Sequence, residues 1–314
     1  MKHIITKYCR AGLCTLLAVS AALCVCACGE EEQKTTAAAD FSVMAQEQTV
    51  PVLDAVDARD FLQLSESERA HAETVGREAA DKLAGRVYHG KRAEPIAVTP
   101  GDYVPRGLMY HLIRDEIYGS LGGLFVKVDD FERQLQLMNE RGFTYLFADE
   151  FQHTAGPSVV ITLDDGYSDN YDNLLPLLVK YNARATVFVV TDLIGTPEYL
   201  TEAQIKEMAA SGYIRFGSHT VTHRQMGLIT DAQTLREEFD RSQQILEELT
   251  GRPVRSLAFP NGSYSDLALE VAADYYDYCY TTKSYYPTVS DMEISRYYIA
   301  RDMGEETFLS CLGY

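Results

Sequence analysis

Two adjacent carboxylates follow a run of β-branched and apolar residues in the stretch VVITLDDGYSDN, positions 159–170. The run predicts a buried strand, so Asp164 and Asp165 stand where that strand ends and a glycine turn begins. Removing one carboxylate from water is costly, and a second beside it adds repulsion between like charges. A divalent cation offsets both costs: one acid can bind the cation while its neighbour, whose side chain diverges, accepts a proton from water.

Two histidines supply the other ligands that such a cation needs. His219 and His223 lie four residues apart in HTVTH, after the apolar run YIRFGS. On a helical turn, two imidazoles at this spacing face the same way and can hold one metal ion. A carboxylate completes a two-histidine, one-carboxylate set, which suits Zn²⁺ and also accepts Co²⁺, Ni²⁺ or Fe²⁺.

Two more predicted strands end in polar or turn-forming residues. His111 ends GLMYH, and Pro260, Asn261 and Gly262 follow the run RSLAF. Because parallel strands share one carboxyl-terminal rim, these residues are expected to meet the acids and imidazoles there. Each motif alone has a simpler explanation, such as a solvated turn, a chance HxxxH or a core histidine, and it is their combination that favours a site.

The elements that must position these residues alternate along the chain. Helical patterns at 130–141, 171–182, 201–211, 231–250 and 265–275 separate apolar runs at 108–111, 143–147, 158–163, 185–190, 213–217, 255–259, 277–281 and 295–300. Strand–helix alternation predicts an α/β fold, a distorted (β/α) barrel of seven or eight parallel strands, with an open doubly wound sheet as the alternative. No glycine-rich phosphate motif follows any strand, so nucleotide binding has no support.

The quoted motifs resemble those of the polysaccharide deacetylases of carbohydrate esterase family 4, the NodB-homology domain. That family typically shows T-F-D-D-G and H-[ST]-x-x-H, here TLDDG and HTVTH, and a third motif ending in P-Y-G, here PNG. The resemblance covers roughly residues 107–314. It implies the following roles: Asp164 as general base; Asp165, His219 and His223 as metal ligands; and Pro260, Asn261 and Gly262 as the turn that binds the oxyanion or the substrate.

Two departures from the family pattern concern the residues around the base. The third motif usually carries an arginine that tunes the base, and Ala258 stands there, so Arg296 or Arg301 is expected to replace it. A surface salt bridge is the simpler interpretation of either arginine alone. No histidine follows the second motif, but LMYHLI resembles the permuted poly-N-acetylglucosamine deacetylases, in which the acid histidine lies on the first strand. His111 is therefore the expected general acid.

The resemblance implies a metal-dependent hydrolase that removes N-acetyl groups from an acetylated cell-surface or extracellular polysaccharide of the N-acetylglucosamine type, with a metal-activated water as nucleophile. Two alternatives stay open. One is an O-acetyl esterase on xylan or a similar glycan. The other is a catalytically degenerate, lipid-anchored glycan-binding protein, which the departures at Ala258 and Asn261 favour.

The first 28 residues read as an export signal, with a basic start and a short apolar core. They end in VCAC, which resembles a bacterial lipobox and implies that Cys28 anchors the protein to a membrane of the cell envelope by lipid; an ordinary secretory signal is the alternative. Polar residues 29–56 predict a flexible tether, residues 57–100 a short helical extension, and residues 101–314 the polysaccharide deacetylase domain.

Composition limits the partners of the protein. The full chain has a formal charge of −18, and without the signal 25 basic and 46 acidic residues leave −21. Such a charge argues against binding nucleic acid. Five of the seven cysteines lie in the signal, and only Cys279 and Cys311 remain to form a disulfide in an oxidising compartment.

Overall fold

The computed structural model describes residues 92–116, 122–284 and 288–314. The predicted signal, tether and most of the helical extension lie outside the described residues. Of that extension, residues 92–99 have no regular structure, and Pro100 begins a strand. No helix among the described residues is long and apolar enough to cross a bilayer.

Eight parallel strands form one curled sheet. Along it the strands run β10, β9, β8, β7, β6, β2, β11, and β5 also pairs with β6. Two short strands, β3 and β4, pair separately, and β1 makes antiparallel bridges to Thr154. The bounds are β1 Pro100–Tyr103, β2 Arg106–Tyr110, β3 Leu112–Ile113, β4 Phe125–Val126, β5 Thr144–Leu146, β6 Ser158–Leu163, β7 Ala185–Val189, β8 Ile214–Ser218, β9 Ser256–Ala258, β10 Tyr278–Tyr280 and β11 Tyr297–Tyr298.

The two edges of the sheet approach each other through one segment of the chain. Ile294 bridges Tyr280 of β10 in parallel, and three residues later β11 pairs with β2, Tyr297 opposite Leu108. The fold is therefore a distorted (β/α) barrel, as predicted. All six residues of β6 are buried, which explains its unbroken apolar run: a central parallel strand is covered on both faces.

Five of the six described α-helices lie between strands and fall within about four residues of the predicted helical patterns; the sixth, Glu305–Leu312, has no predicted counterpart. The longest helix starts after Asp231, whose side chain accepts from the Thr234 N–H, and ends at the left-handed Gly251. A π-helical turn, Asn170–Leu174, leads into the helix after β6. The bounds are α1 Val128–Glu140, α2 Leu175–Tyr181, α3 Glu202–Ser211, α4 Ala232–Thr250, α5 Asp266–Ala272 and α6 Glu305–Leu312.

Both body cysteines belong to the core. Cys279 lies in β10 and Cys311 in α6, both are fully buried, and they are not joined by a disulfide. Burial raises the pKa of the Cys279 thiol far above its usual value. The pairing that the sequence left open is therefore not formed, and both thiols act as small apolar core groups.

Candidate functional site

The turn after β6 sends the two adjacent carboxylates in different directions. Asp165 and Gly166 both adopt left-handed backbone, with φ of 74° and 84°. A Cβ on Gly166 would also press on the Val189 side chain at 3.2 Å, so the glycine is required twice over. Asp164 is fixed to the neighbouring strand, because its N–H donates to the Tyr110 carbonyl at 3.0 Å.

Asp165 lies against both histidines of the HTVTH motif. Its Oδ1 is 3.4 Å from Nε2 of His219 and 3.4 Å from Nε2 of His223, and all three side chains are buried. The helical turn predicted for the motif is wrong. Residues 219–223 form an irregular loop in which Thr220 and His223 have φ of 67° and 59°, and this strained backbone aims both rings at Asp165.

The hydrogen bonding of His219 shows that this cluster fits a divalent cation. Its Nδ1 lies 2.7 Å from the Ala258 carbonyl, which can only accept, so Nδ1 carries the hydrogen and the Nε2 lone pair of the neutral ring faces Asp165. An oxygen anion and a nitrogen lone pair repel unless a positive charge lies between them. Ligands about 2.0–2.1 Å from one tetrahedral ion lie about 3.3–3.4 Å apart, which is the spacing found.

Electrostatics also keep Asp165 ionised. Burial alone would raise its pKa, but the neighbouring imidazoles of His219 and His223 outweigh burial and hold the pKa well below its usual range. One carboxylate and two imidazoles form a set of hard and borderline ligands, which suits Zn²⁺, Co²⁺, Ni²⁺ or Fe²⁺. Asp165, His219 and His223 are therefore the candidate metal site.

A buried glutamate on α4 holds the loop between the two histidines. Glu238 accepts from the N–H groups of Val221 and Thr222 at 2.9 and 3.0 Å and from the Thr222 hydroxyl. Nothing in the local pattern marks Glu238, since the helix around it is rich in acids. Its carboxylate offsets backbone strain that would otherwise relax the loop.

We expect Glu238→Ala to weaken zinc binding by roughly 10–100-fold, the usual cost of losing a group that orients metal ligands. Titration calorimetry of the metal-free protein measures this directly. Glu238→Gln keeps one acceptor oxygen and should lose less, while Glu237→Ala, its exposed neighbour on α4, is the control. Unchanged zinc affinity in Glu238→Ala would contradict the role.

Asp164 pairs with a fully buried arginine. Arg296 donates to both carboxylate oxygens at 2.6 and 2.8 Å, and it also donates to the Thr162 hydroxyl and the Thr281 carbonyl. Burial raises the pKa of Asp164, but attraction to Arg296 outweighs it and leaves the pKa below its usual value. Asp164 is therefore ionised, with the second lone pair of each oxygen still able to accept a proton.

The two arginines proposed from the sequence thus have different positions. Arg296 is the partner of Asp164, and because it is fully buried, the simpler interpretation of a surface salt bridge is wrong for it. Arg301 instead donates to the carbonyl of Asp115 at 2.9 Å. The register of β11 against β2 determines which arginine reaches Asp164. A two-residue strand is too short for this register to be predicted from the sequence.

His111 lies between β2 and β3, at the same end of β2 as Asp164. Its ring packs edge-on against Tyr298, with centroids 6.4 Å apart. Burial lowers the pKa of His111, and the charges of Asp165 and Asp164 oppose that effect. Its Nδ1 has no hydrogen-bond partner among the described residues.

The turn Pro260–Gly262 follows β9 directly, two residues after the Ala258 carbonyl that orients His219. Asn261 is left-handed, with φ of 56°, and Gly262 has φ of 63°. A Cβ on Gly262 would collide with the Thr282 hydroxyl, so glycine is required there. The structure therefore places the predicted oxyanion turn on the strand that also supports a metal ligand.

Fold and site together define an α/β barrel with a buried metal-type cluster beside an ionised acid. Residues 152–278 match the family model for polysaccharide deacetylase. His111 lies outside the matched residues, in the segment that precedes them.

Relatives agree with this assignment. The putative polysaccharide deacetylase YxkH of Bacillus subtilis is 34% identical over 172 residues, 52% of this chain and 59% of YxkH. This chain thus spans about three fifths of that relative. A poly-β-1,6-N-acetyl-D-glucosamine N-deacetylase of Staphylococcus aureus is 24% identical over 201 residues, 57% of this chain and 69% of the relative. The solved Streptococcus pyogenes deacetylase PplD, in complex with acetate, is 28% identical with a TM-score of 0.61, covering 68% of this chain and 99% of its own.

Proposed function

We propose that this protein is a metal-dependent deacetylase that removes N-acetyl groups from a polysaccharide of the N-acetylglucosamine type. The observation that carries the proposal is the buried Asp165–His219–His223 cluster directly beside the Asp164–Arg296 pair. The family match supports polysaccharide deacetylation, and the Staphylococcus aureus relative supports the choice of N-acetylglucosamine polymers.

A divalent metal held by Asp165, His219 and His223 would polarise the acetyl carbonyl and increase the acidity of water. Asp164 accepts the proton of the attacking water, and Arg296 keeps its carboxylate ionised and aimed. The backbone N–H of Asn261, in the turn Pro260–Gly262, stabilises the negative charge that develops on the acetyl oxygen.

His111 completes the reaction at the nitrogen. The water oxygen bonds to the acetyl carbon, the C–N bond breaks, and the amine nitrogen takes a proton from the imidazole. Acetate and a free amino sugar leave. The base and the acid directly follow the adjacent paired strands β6 and β2, which places them at the same edge of the sheet.

Purified protein should release acetate from at least one acetylated glycan in a panel of poly-β-1,6-N-acetylglucosamine, chitin oligomers, peptidoglycan and O-acetylated xylan. We expect a chelator to abolish the release and Zn²⁺, Co²⁺, Ni²⁺ or Fe²⁺ to restore it. His219→Ala should lose both bound metal and turnover. If the metal-loaded protein released acetate from none of these glycans, the proposed hydrolase activity would be wrong. If it released acetate from xylan alone, the protein would be an O-acetyl esterase.

The sequence of residues 1–28 supports export and attachment to the cell envelope through a lipid on Cys28, which would bring the domain to surface glycans. Metabolic labelling with a radioactive fatty acid tests this part, and Cys28→Ala should remove the label. Labelled protein in that variant would contradict the anchor.

A further inference from the structure

Three polar side chains after the Asp164–Asp165 turn bond to the backbone of the segment that carries His111. Asn170 Nδ2 donates to the His111 carbonyl at 3.1 Å. Asp169 accepts from the Ile113 N–H at 2.9 Å, and Asn173 Nδ2 donates to the Ile113 carbonyl at 2.6 Å. Asn170 and Asn173 lie in the π-helical turn and Asp169 directly precedes it, and such turns are frequent at functional sites.

The amide of Asn170 has one workable orientation. Its Nδ2 lies 3.1 Å from the His111 carbonyl and 3.0 Å from Asp169 Oδ1, and a flipped amide would set oxygen against both. In this orientation Oδ1 of Asn170 is buried without a hydrogen-bond partner among the described residues, and Oδ1 of Asn173 is too. Burying unmet acceptors lowers stability, so each amide is retained for the bond that its Nδ2 makes to the backbone of the His111 segment, and only the Asn170 bond is made to His111 itself.

The surroundings of His111 supply that reason. Its Nδ1 has no hydrogen-bond partner among the described residues, so no polar group on that nitrogen orients the ring. The ring position therefore depends on its backbone and on packing against Tyr298. The ring of His219 is oriented by a hydrogen bond from its Nδ1 to the Ala258 carbonyl. For His111, the corresponding anchor is on the backbone, where its carbonyl accepts from Asn170.

We propose that Asn170 is a positioning residue that sets His111 for proton delivery to the leaving amine. The inference rests on the proposed function, since it assigns Asn170 a part in that reaction. A shift of about 1 Å in a reacting group costs up to 10²-fold in rate, so losing this bond should act on kcat rather than on KM.

The test separates proton delivery from general damage by changing the leaving group. An amine must be protonated to leave, whereas the phenolate of 4-nitrophenyl acetate leaves without a proton. We expect Asn170→Ala to lower kcat on the N-acetylated glycan about 10-fold or more, to change KM little and to lower aryl ester turnover less than about 2-fold. Asn170→Asp keeps the volume but removes the donor, so it should lose at least as much.

Asn173→Ala is the matched control, because it removes an amide-to-carbonyl bond from the same segment two residues beyond His111. It should lower both activities by the same factor. His111→Ala should show the leaving-group effect more strongly than Asn170→Ala. If His111→Ala slows both substrates equally, the acid role in the proposed function fails; if only Asn170→Ala does so, the positioning role fails. A crystal structure of Asn170→Ala with an unmoved His111 ring would also overturn it.

Discussion

Asp164→Asn should abolish most turnover while leaving the metal bound. The amide cannot accept the proton of water, and a general base contributes about 10²–10⁴-fold, so kcat for acetate release should fall by that factor. Metal content measured by mass spectrometry should stay at the wild-type level, because the ligand is Asp165 and not Asp164.

Asp172→Asn is the matched control for this change. Asp172 lies in the π-helical turn after the two acids and has no place in the proposed mechanism, so kcat should remain near wild type. Near-normal turnover in Asp164→Asn would show that the assignment of the base is wrong. Loss of the metal together with turnover would show that the two aspartates had been assigned the wrong way round.

Arg296→Met should destabilise the fold by about 3–5 kcal/mol, because it leaves the buried Asp164 carboxylate without its counter-charge. The free energy of unfolding, measured by urea denaturation, gives this loss directly. The double variant Asp164→Asn, Arg296→Met should regain much of it, since no buried charge is then left unpaired.

Arg301→Met is the control from the same part of the chain. Arg301 donates to a backbone carbonyl and pairs with no buried acid in the described structure, so its loss should cost about 1 kcal/mol. Equal destabilisation by Arg296→Met and Arg301→Met would contradict the pairing. So would a double variant that is no more stable than Arg296→Met alone.

Much of the fold could be predicted because its signals are local. Apolar runs such as β6 are buried on both faces, and α4 carries its start and stop signals at Asp231 and Gly251. The short helix α6 was missed because eight residues give little periodicity. The sequence also predicted which acids and imidazoles share the rim, since strand ends of a parallel sheet must meet there.

The remainder of the site depends on non-local geometry. HTVTH was expected on a helical turn, whereas the left-handed Thr220 and His223 are stabilised by Glu238 from a distant helix. The sequence predicts that the metal neutralises both acids and that either Arg296 or Arg301 lies beside the base, whereas in the structure Arg296 pairs with Asp164 and Arg301 does not. The positions of Glu238 and Arg296 depend on tertiary packing, which the spacing of residues along the chain does not encode.

The segment that joins the two edges of the sheet, from Ile294 to β11, also carries Arg296 and is synthesised long after β6. Asp164 and Arg296 are 132 residues apart, so a ribosome adding about 5–20 residues per second needs roughly 7–26 s to supply the second after the first. Throughout that interval the Asp164 carboxylate has no counter-charge, because Arg296 has not yet been translated. Asp164 gains this counter-charge only when the closing segment has packed, so the Asp164–Arg296 pair is present only in a closed ring.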